Sequence, residues 1–258
     1  MIRIAAVGDV HLGRDARGRL RPALAHLPER ADVLLLAGDL TRHGTPDEAR
    51  IVAREFAGLD VPVLAVLGNH DHHDDAVPGV VSVLEEEGGM RVLEGDGTVL
   101  TVDGTRLGVA GVKGFGGGFE GRCATAFGEP EMKAFVGHTR DIADRLRAAL
   151  GALDCDVRVA LTHYAPVPET LHGEPPEIHP FLGAYQLGEA VDATGTDLAL
   201  HGHAHNGSEH GLTPGGVRVR NVAQPVIRAA YTVYCLGGDD GHAPVPDAGL
   251  VGEEGRHA

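Results

Sequence analysis

Tryptophan is absent from this 258-residue sequence and aromatic residues make up only 4% of it. No stretch therefore offers the interleaved basic and aromatic side chains on which single-stranded nucleic acid stacks. Positive charge is also scarce: 22 Lys and Arg against 37 Asp and Glu give a formal charge of −15. An electrostatic grip on nucleic acid or an anionic membrane needs the opposite balance. The three cysteines, Cys123, Cys155 and Cys235, are too few and too scattered for a disulfide framework and form no C-x-x-C pair. No apolar run approaches the roughly 20 residues needed to cross a bilayer. The opening Met1-Ile2-Arg3-Ile4-Ala5-Ala6-Val7 enters a strand directly, without an apolar leader and small-residue cleavage site. A cytoplasmic location is expected. What is present is a 43% hydrophobic chain long enough for a sizeable core. One domain is expected over residues 1–237, followed by a disordered acidic Gly/Pro-containing tail over 238–258.

Apolar runs of strand length alternate with stretches of helical period. Residues 2–7, 33–37 and 63–67 are nearly all apolar, as in strands buried on both faces. Thr45-Pro46-Asp47-Glu48 supplies an N-cap, a proline at N1 and the glutamate of a capping box, which predicts a helix burying Ala49, Val52, Ala53, Phe56 and Ala57. This β-α-β rhythm implies parallel strands and right-handed crossovers. Residues 77–87 suit a helix, and the runs 99–102 and 107–111 flank Asp103-Gly104, a hairpin signal. Glu129-Pro130-Glu131 opens another helix, with Phe135, Val136, Ile142, Ala143, Leu146 and Leu150 on its buried side. Residues 157–161 and 198–201 read as buried strands, and 217–222 and 231–236 as late strands joined by turns. The expected fold is α/β, with mixed sheets covered by helices.

Five motifs follow these runs: Asp9-x-His11, Gly38-Asp39, Gly68-Asn69-His70-Asp71, His163, and Gly202-His203-x-His205. In open α/β sheets ligands gather beyond the carboxyl ends of strands, and glycines at such edges allow close backbone approach. Imidazole, carboxylate and amide oxygen without thiolate suit Mn, Fe, Zn or Ni. Two such ions about 3.5–4 Å apart can share a hydroxide and stabilise both the attacking and the leaving oxygen of an in-line displacement at phosphorus. They would also leave a positive site on an acidic chain, matching an anionic substrate. Together the motifs supply the ligands of a two-metal phosphoester hydrolase. Singly they say little: a lone Asp-x-His is usually structural, and His163 has only its strand-end place and the Tyr164-Ala165-Pro166 turn to recommend it.

The order D-x-H, G-D, G-N-H-[DE], H, G-H-x-H resembles the pattern of the calcineurin-like metallophosphoesterase family over roughly residues 1 to 235. The resemblance implies a four-layer α/β/β/α sandwich with two mixed β-sheets and the metal site at the carboxyl ends of strands. It implies that Asp9, His11, Asp39 and His205 hold one ion and that Asp39, Asn69, His163 and His203 hold the other, with Asp39 bridging. His70, left without a metal, is expected to act as general acid or to stabilise the phosphoryl oxygens, with Asp71 orienting its ring. His201 falls outside the ligand pattern and is read as a strand or supporting residue. His72, His73, Asp74 and Asp75 form a polar run, either a solvated loop or a substrate contact. The segment from Gly111 to Phe119 lacks the order of a P-loop. It is expected to be a flexible flap near the site, from which Lys113 or Arg122 could reach phosphate. Arg14, Arg42 and His43 lie beside the first two motifs without an assigned role.

Two departures narrow the substrate. Gly38-Asp39-Leu40-Thr41-Arg42-His43-Gly44 lacks the G-D-x-V-D-R-G form of phosphoprotein phosphatases, and Asp71 stands where those enzymes carry Glu. Arg42 takes the place of the tyrosine in the G-D-x-x-Y of purple acid phosphatases. The segment is most similar to bacterial class III cyclic-nucleotide phosphodiesterases and their broad-specificity relatives. The expected activity is hydrolysis of a phosphodiester, with monoesters also open, on a small soluble substrate. A nuclease of the same fold and a non-catalytic metal-binding scaffold are the alternatives. The expected partner is a small molecule rather than nucleic acid or membrane, and a homodimer is the commonest symmetric assembly.

Overall fold

The computed structural model describes residues 1–237; the acidic tail expected at 238–258 lies outside the described residues. The strands are β1 (Ile2–Val7), β2 (Val33–Ala37), β3 (Val63–Val66), β4 (Arg91–Val92), β5 (Asp96–Val102), β6 (Thr105–Val112), β7 (Gly118–Phe119), β8 (Arg122–Cys123), β9 (Val157–Thr162), β10 (Leu198–His201), β11 (His210–Leu212), β12 (Arg218–Asn221) and β13 (Thr232–Leu236). One sheet has the order β13-β1-β2-β3-β4, a second has β11-β12-β10-β9-β6-β5, and β7-β8 is a small ribbon. Both large sheets are mixed. In the first, β1 to β4 run parallel and β13 joins the β1 edge antiparallel. In the second, β6, β9, β10 and β12 are parallel, with β5 and β11 antiparallel at the edges.

The period-2 alternation of strand side chains builds the layers. Ile2, Ile4 and Ala6 of β1 and Val33, Leu35 and Ala37 of β2 pack against Val157, Val159 and Leu161 of β9 and Leu198 and Leu200 of β10, so the sheets lie face to face. The intervening residues Ala5, Val7, Leu34 and Leu36 meet Val52, Phe56, Val80 and Leu84 of the helices Pro46–Phe56 and Val77–Glu86. On the far side, Ala110, Ala160, Ala199 and Val219 meet Ile142, Leu146 and Leu187 of the helices Pro130–Gly151 and Tyr185–Asp192. The result is the four-layer α/β/β/α sandwich. No helix among the described residues is long and apolar enough to cross a membrane.

Local details largely follow the sequence. Asp103 and Gly104 have φ of 46° and 81° between β5 and β6, as a tight hairpin turn requires. Thr45 caps the helix Pro46–Phe56 by accepting from the Glu48 N–H at 3.3 Å. The Glu48 carboxylate, however, does not close a capping box: it accepts from the His43 backbone N–H at 2.7 Å and faces His43 Nδ1 at 2.9 Å. The two late strands are joined through the short helix Gln224–Ile227 and not by turns alone, and β12 lies in the second sheet while β13 crosses to the first. The helix Tyr185–Asp192, whose sequence lacks a side-chain cap, has no counterpart in the sequence reading.

Candidate metal centre

Each motif stands just beyond a parallel strand, and the backbone there leaves the regular geometry. Asp9, His11, Asp39 and His203 all have positive φ, at 58°, 43°, 51° and 69°. Such conformations are uncommon for residues with a Cβ and persist where surrounding contacts hold them. Those contacts are cross-links between motifs. Gly8 N–H bonds the Val222 carbonyl at 2.8 Å, Asp9 N–H the Gly38 carbonyl at 2.9 Å and His11 N–H the Asp39 carbonyl at 3.0 Å. The motif glycines make room for ligands of other motifs. A side chain at Gly38 would meet the His163 ring at 2.6 Å, and one at Gly68 or Gly202 would overlap the carboxylate of Asp39 or Asp9.

Two groups of donors result. Asp9, His11, Asp39 and His205 form one, and Asp39, His163 and His203 the other, with the donor atoms of each within 4.8 Å of one another. Asn69 joins the second, its Oδ1 3.0 Å from His163 Nε2. Asp39 belongs to both. Its Oδ1 lies 3.4 Å from His163 Nε2 and its Oδ2 3.8 Å from His11 Nε2. The carboxylates are aimed by backbone donors: His70 N–H donates to Asp39 Oδ1 at 2.8 Å, and His203 N–H to Asp9 Oδ2 at 2.9 Å.

His163 and His203 are prepared in the way metal-binding imidazoles usually are, with the second ring nitrogen on a backbone carbonyl. His163 Nδ1 is 2.8 Å from the Ala37 carbonyl, leaving Nε2 for the centre. His203 Nε2 is 3.2 Å from the Phe181 carbonyl, leaving Nδ1. With N and O donors, no thiolate and one carboxylate shared, the residues present fit a pair of divalent ions.

The same burial sets the charges. Burial opposes the charge on His163, yet Asp39 prevails and holds it up at about 9. Burial would raise Asp39, but His163, with help from the His70 N–H and His11, holds it well below the usual carboxylate range. Burial, followed by the His163 charge, pushes His203 down to about 3. His205 is raised by its 2.9 Å hydrogen bond with Asp9, and His11 is lowered by burial.

His70 and Asp71 separate. The His70 ring lies 4.6 Å from that of His11, and its Nδ1 is 2.8 Å from the Arg42 carbonyl. Asp71 does not orient it. Its fully buried carboxylate accepts from the backbone N–H groups of Leu40, Thr41 and Gly68 at 3.2, 2.8 and 2.9 Å and from the Thr41 hydroxyl at 2.6 Å. The short 3-10 turn His70–His72 points neighbouring side chains in different directions, so Asp71 reaches back under the second motif. Burial and the nearby Asp39 charge raise its pKa. Asp71 is a brace between the second and third motifs, and the Arg42 carbonyl does the orienting.

His201 is buried with Nδ1 on the Gly202 carbonyl and Nε2 on the Thr170 hydroxyl, both at 2.8 Å, so it supports the last motif from behind. Asn221 is a supporting residue that sequence reading missed: fully buried, it donates to the Ala204 carbonyl at 2.8 Å and accepts from Ala223 N–H at 3.1 Å. His73, Asp74 and Asp75 are exposed, and His72 is half-buried with its pKa lowered by burial.

The glycine-rich segment is not an open flap. Gly117 N–H bonds the Pro180 carbonyl at 2.7 Å and Gly118 N–H the Gly183 carbonyl at 2.9 Å, while Phe119 is buried with Leu171 and Leu182. Its glycines allow this contact, since a side chain at Gly116 would meet the Pro180 carbonyl at 2.6 Å. The segment thereby backs the Phe181 carbonyl that holds His203. Lys113 Nζ sits 5.2 Å from the centres of both the Phe115 and Tyr164 rings, and burial lowers its pKa. Arg122 is exposed in the β7-β8 ribbon.

The sequence profile described as calcineurin-like phosphoesterase matches residues 2–207. Among solved structures, the chain is similar to the TT1561 protein of Thermus thermophilus, at 17% identity over 90% of this chain and 93% of that one, with a TM-score of 0.52. It is also similar to a candidate 5′-nucleotidase from Staphylococcus aureus in complex with alpha-ketoglutarate, at 16% identity over 90% of this chain and 50% of that one, with a TM-score of 0.56. At these identities the likeness concerns the fold. Among curated proteins, none matches this sequence. The profile spans most of the chain and contains all five motifs, and its fold and clustered Asp and His donors are those found above: the chain belongs to the calcineurin-like phosphoesterase family of metal-dependent phosphoester hydrolases.

Proposed function

We propose that this chain hydrolyses a phosphodiester of a small soluble substrate, with monoesters as a lesser activity, at a pair of metal ions. Asp9, His11, Asp39 and His205 hold one ion, and Asp39, Asn69, His163 and His203 the other. The observation that carries this reading is the shared carboxylate, since Asp39 falls within both groups of donors. Bound Mn, Fe, Zn or Ni ions supply Lewis acidity to the phosphoryl oxygens and lower the pKa of water.

The chain's own residues position and move protons. Backbone N–H groups of His203 and His70 fix the carboxylates of Asp9 and Asp39 before any ion arrives. His70 Nδ1–H donates to the Arg42 carbonyl, 2.8 Å away, and the ring protonated on both nitrogens presents Nε2–H, which passes its proton to the leaving oxygen and leaves the neutral imidazole. His70 therefore acts as the catalytic acid without an acidic partner. The diester preference rests on the form of the second and third motifs, with Arg42 and Asp71 where other branches carry different residues. The acidic surface favours a small molecule over a nucleic acid, and the three free cysteines accord with a cytoplasmic location.

The test is turnover of bis-p-nitrophenyl phosphate against p-nitrophenyl phosphate by the metal-loaded chain and by Asp39→Asn. Metal-dependent turnover that favours the diester and disappears in the variant is expected. A preference for the monoester would overturn the diester assignment, faster cleavage of oligonucleotides would make the chain a nuclease, and no turnover of any ester would leave a scaffold.

A further inference from the structure

Away from the metal centre, a cleft of ≈ 530 Å³ is lined by Arg14, Arg17, Asp47, Arg50, Ile51 and Arg54. Four guanidinium groups meet one carboxylate in a chain whose formal charge is −15. The basic charge of this sequence is almost all arginine, since only Lys113 and Lys133 are lysines. Such a concentration is electrostatically unfavourable unless something negative answers it.

The cleft is built from two elements fastened together. Asp47, Arg50, Ile51 and Arg54 recur at helical spacing and share one face of the helix Pro46–Phe56. Arg14 and Arg17 come from the loop that follows the first motif. The buried carboxylate of Glu55 ties that loop to the helix, accepting from the backbone N–H groups of Gly18, Leu20 and Arg21, the last two at 2.9 Å. The Arg21 guanidinium adds a bond to the Glu55 carbonyl at 3.1 Å. Asp47 is shared between Arg50 at 2.7 Å and Arg14 at 3.4 Å, and Arg50 also reaches Glu87 at 3.2 Å. Arg17 and Arg54 have no ion pair with any described residue.

We infer that this cleft is an anion site, distinct from the metal centre, for a diphosphate group. Planar guanidinium forks present paired N–H donors that match phosphate oxygens, and several forks around one cleft suit an anion of more than one charge. The cleft is larger than a single phosphate needs, and its single carboxylate is already occupied by Arg14 and Arg50. Arg17 and Arg54 are left to take the ligand.

The test uses the full-length chain freed of metal by a chelator, with its fold checked by circular dichroism, so the result does not depend on hydrolysis. Inorganic pyrophosphate is titrated calorimetrically at low salt into the wild type, Arg17→Gln/Arg54→Gln, and a control, Arg140→Gln/Arg147→Gln, on the exposed side of the helix Pro130–Gly151. The wild type and the control are expected to bind equally, and the cleft variant about tenfold or more weakly, as loss of charge-assisted hydrogen bonds implies. Binding should weaken as salt rises. ADP in place of pyrophosphate tells a free diphosphate from one borne by a larger molecule, since only the second binds as well as pyrophosphate or better. Absence of pyrophosphate binding by the wild type, or equal binding by the cleft variant, would overturn the assignment.

Discussion

The two halves of the candidate metal centre share Asp39 and draw on imidazole donors but are held by the fold in different ways. In the first half, the side chains of His11 and His205 are 22% and 38% exposed. In the second half, His163 is completely buried and its Nδ1 is fixed to the last residue of β2 in the opposite sheet. His203 is packed against the Tyr164 ring at 4.4 Å and the His163 ring at 4.8 Å, with Phe181 behind its other nitrogen. One half is a property of the sandwich; the other is assembled at its rim. A donor locked by packing and hydrogen bonds is better preorganised than an exposed one. The difference predicts that the buried half binds its ion more tightly and exchanges it more slowly, with Asp39 joining the two.

Breaking the junction has the largest expected effect. Asp39→Asn removes the shared charge and should lower metal-dependent turnover by at least about 10³-fold, measured as kcat/KM after loading with Mn. A loss under tenfold would mean the halves function separately. Next come the halves themselves. His163→Ala should abolish binding in the buried half and lower Tm, because it also orphans the Ala37 carbonyl and leaves a cavity. His205→Ala should weaken only the exposed half and leave Tm nearly unchanged. Equal effects on Tm and on metal content would remove the distinction. His70→Ala is expected to leave two ions bound while lowering kcat on esters with poor leaving groups by roughly 10²–10⁴-fold.

Two further effects concern stability. In metal-free protein, His163 is raised above its ordinary 6.5 to about 9 by Asp39, so their pairing stabilises the fold fully below pH about 6.5 and is lost as pH rises through about 9. Asp39 is depressed below its ordinary 3.8, so its share is present above that value and is lost only on strong acidification. Tm of the metal-free chain should therefore fall on the alkaline side, and Asp39→Asn should flatten that limb. Asp71→Asn should cost roughly 3 kcal/mol by mispairing a buried acceptor, without changing the pH dependence of turnover. A shift in the pH profile of Asp71→Asn would restore Asp71 as the orienting partner of His70.

The sequence shows most of the sandwich because its strands are marked on both faces: Ile2, Ile4 and Ala6 alternate with Ala5 and Val7, and every one of them is buried. It shows the candidate ligands because five motifs, each common alone, follow apolar runs in one order. It does not show Asp71's true place. The residue's adjacency to His70 suggests a pair, whereas the turn geometry sends its carboxylate to three backbone N–H groups. Nor does it show the carbonyls of Ala37, Arg42 and Phe181 that fix the imidazoles, because a backbone carbonyl leaves no trace in residue identity. The glycines of 111–119 read as freedom, while in the fold they permit close packing against Pro180 and Gly183.

Electron paramagnetic resonance of the Mn-loaded chain reads out whether Asp39 joins two ions. The wild type should give the multiline signal of an exchange-coupled pair at two Mn per chain. Asp39→Asn should lose the coupling, and His70→Ala should keep it. An isolated Mn signal from the fully loaded wild type, or coupling that survives Asp39→Asn, would mean that Asp39 does not join the two ions.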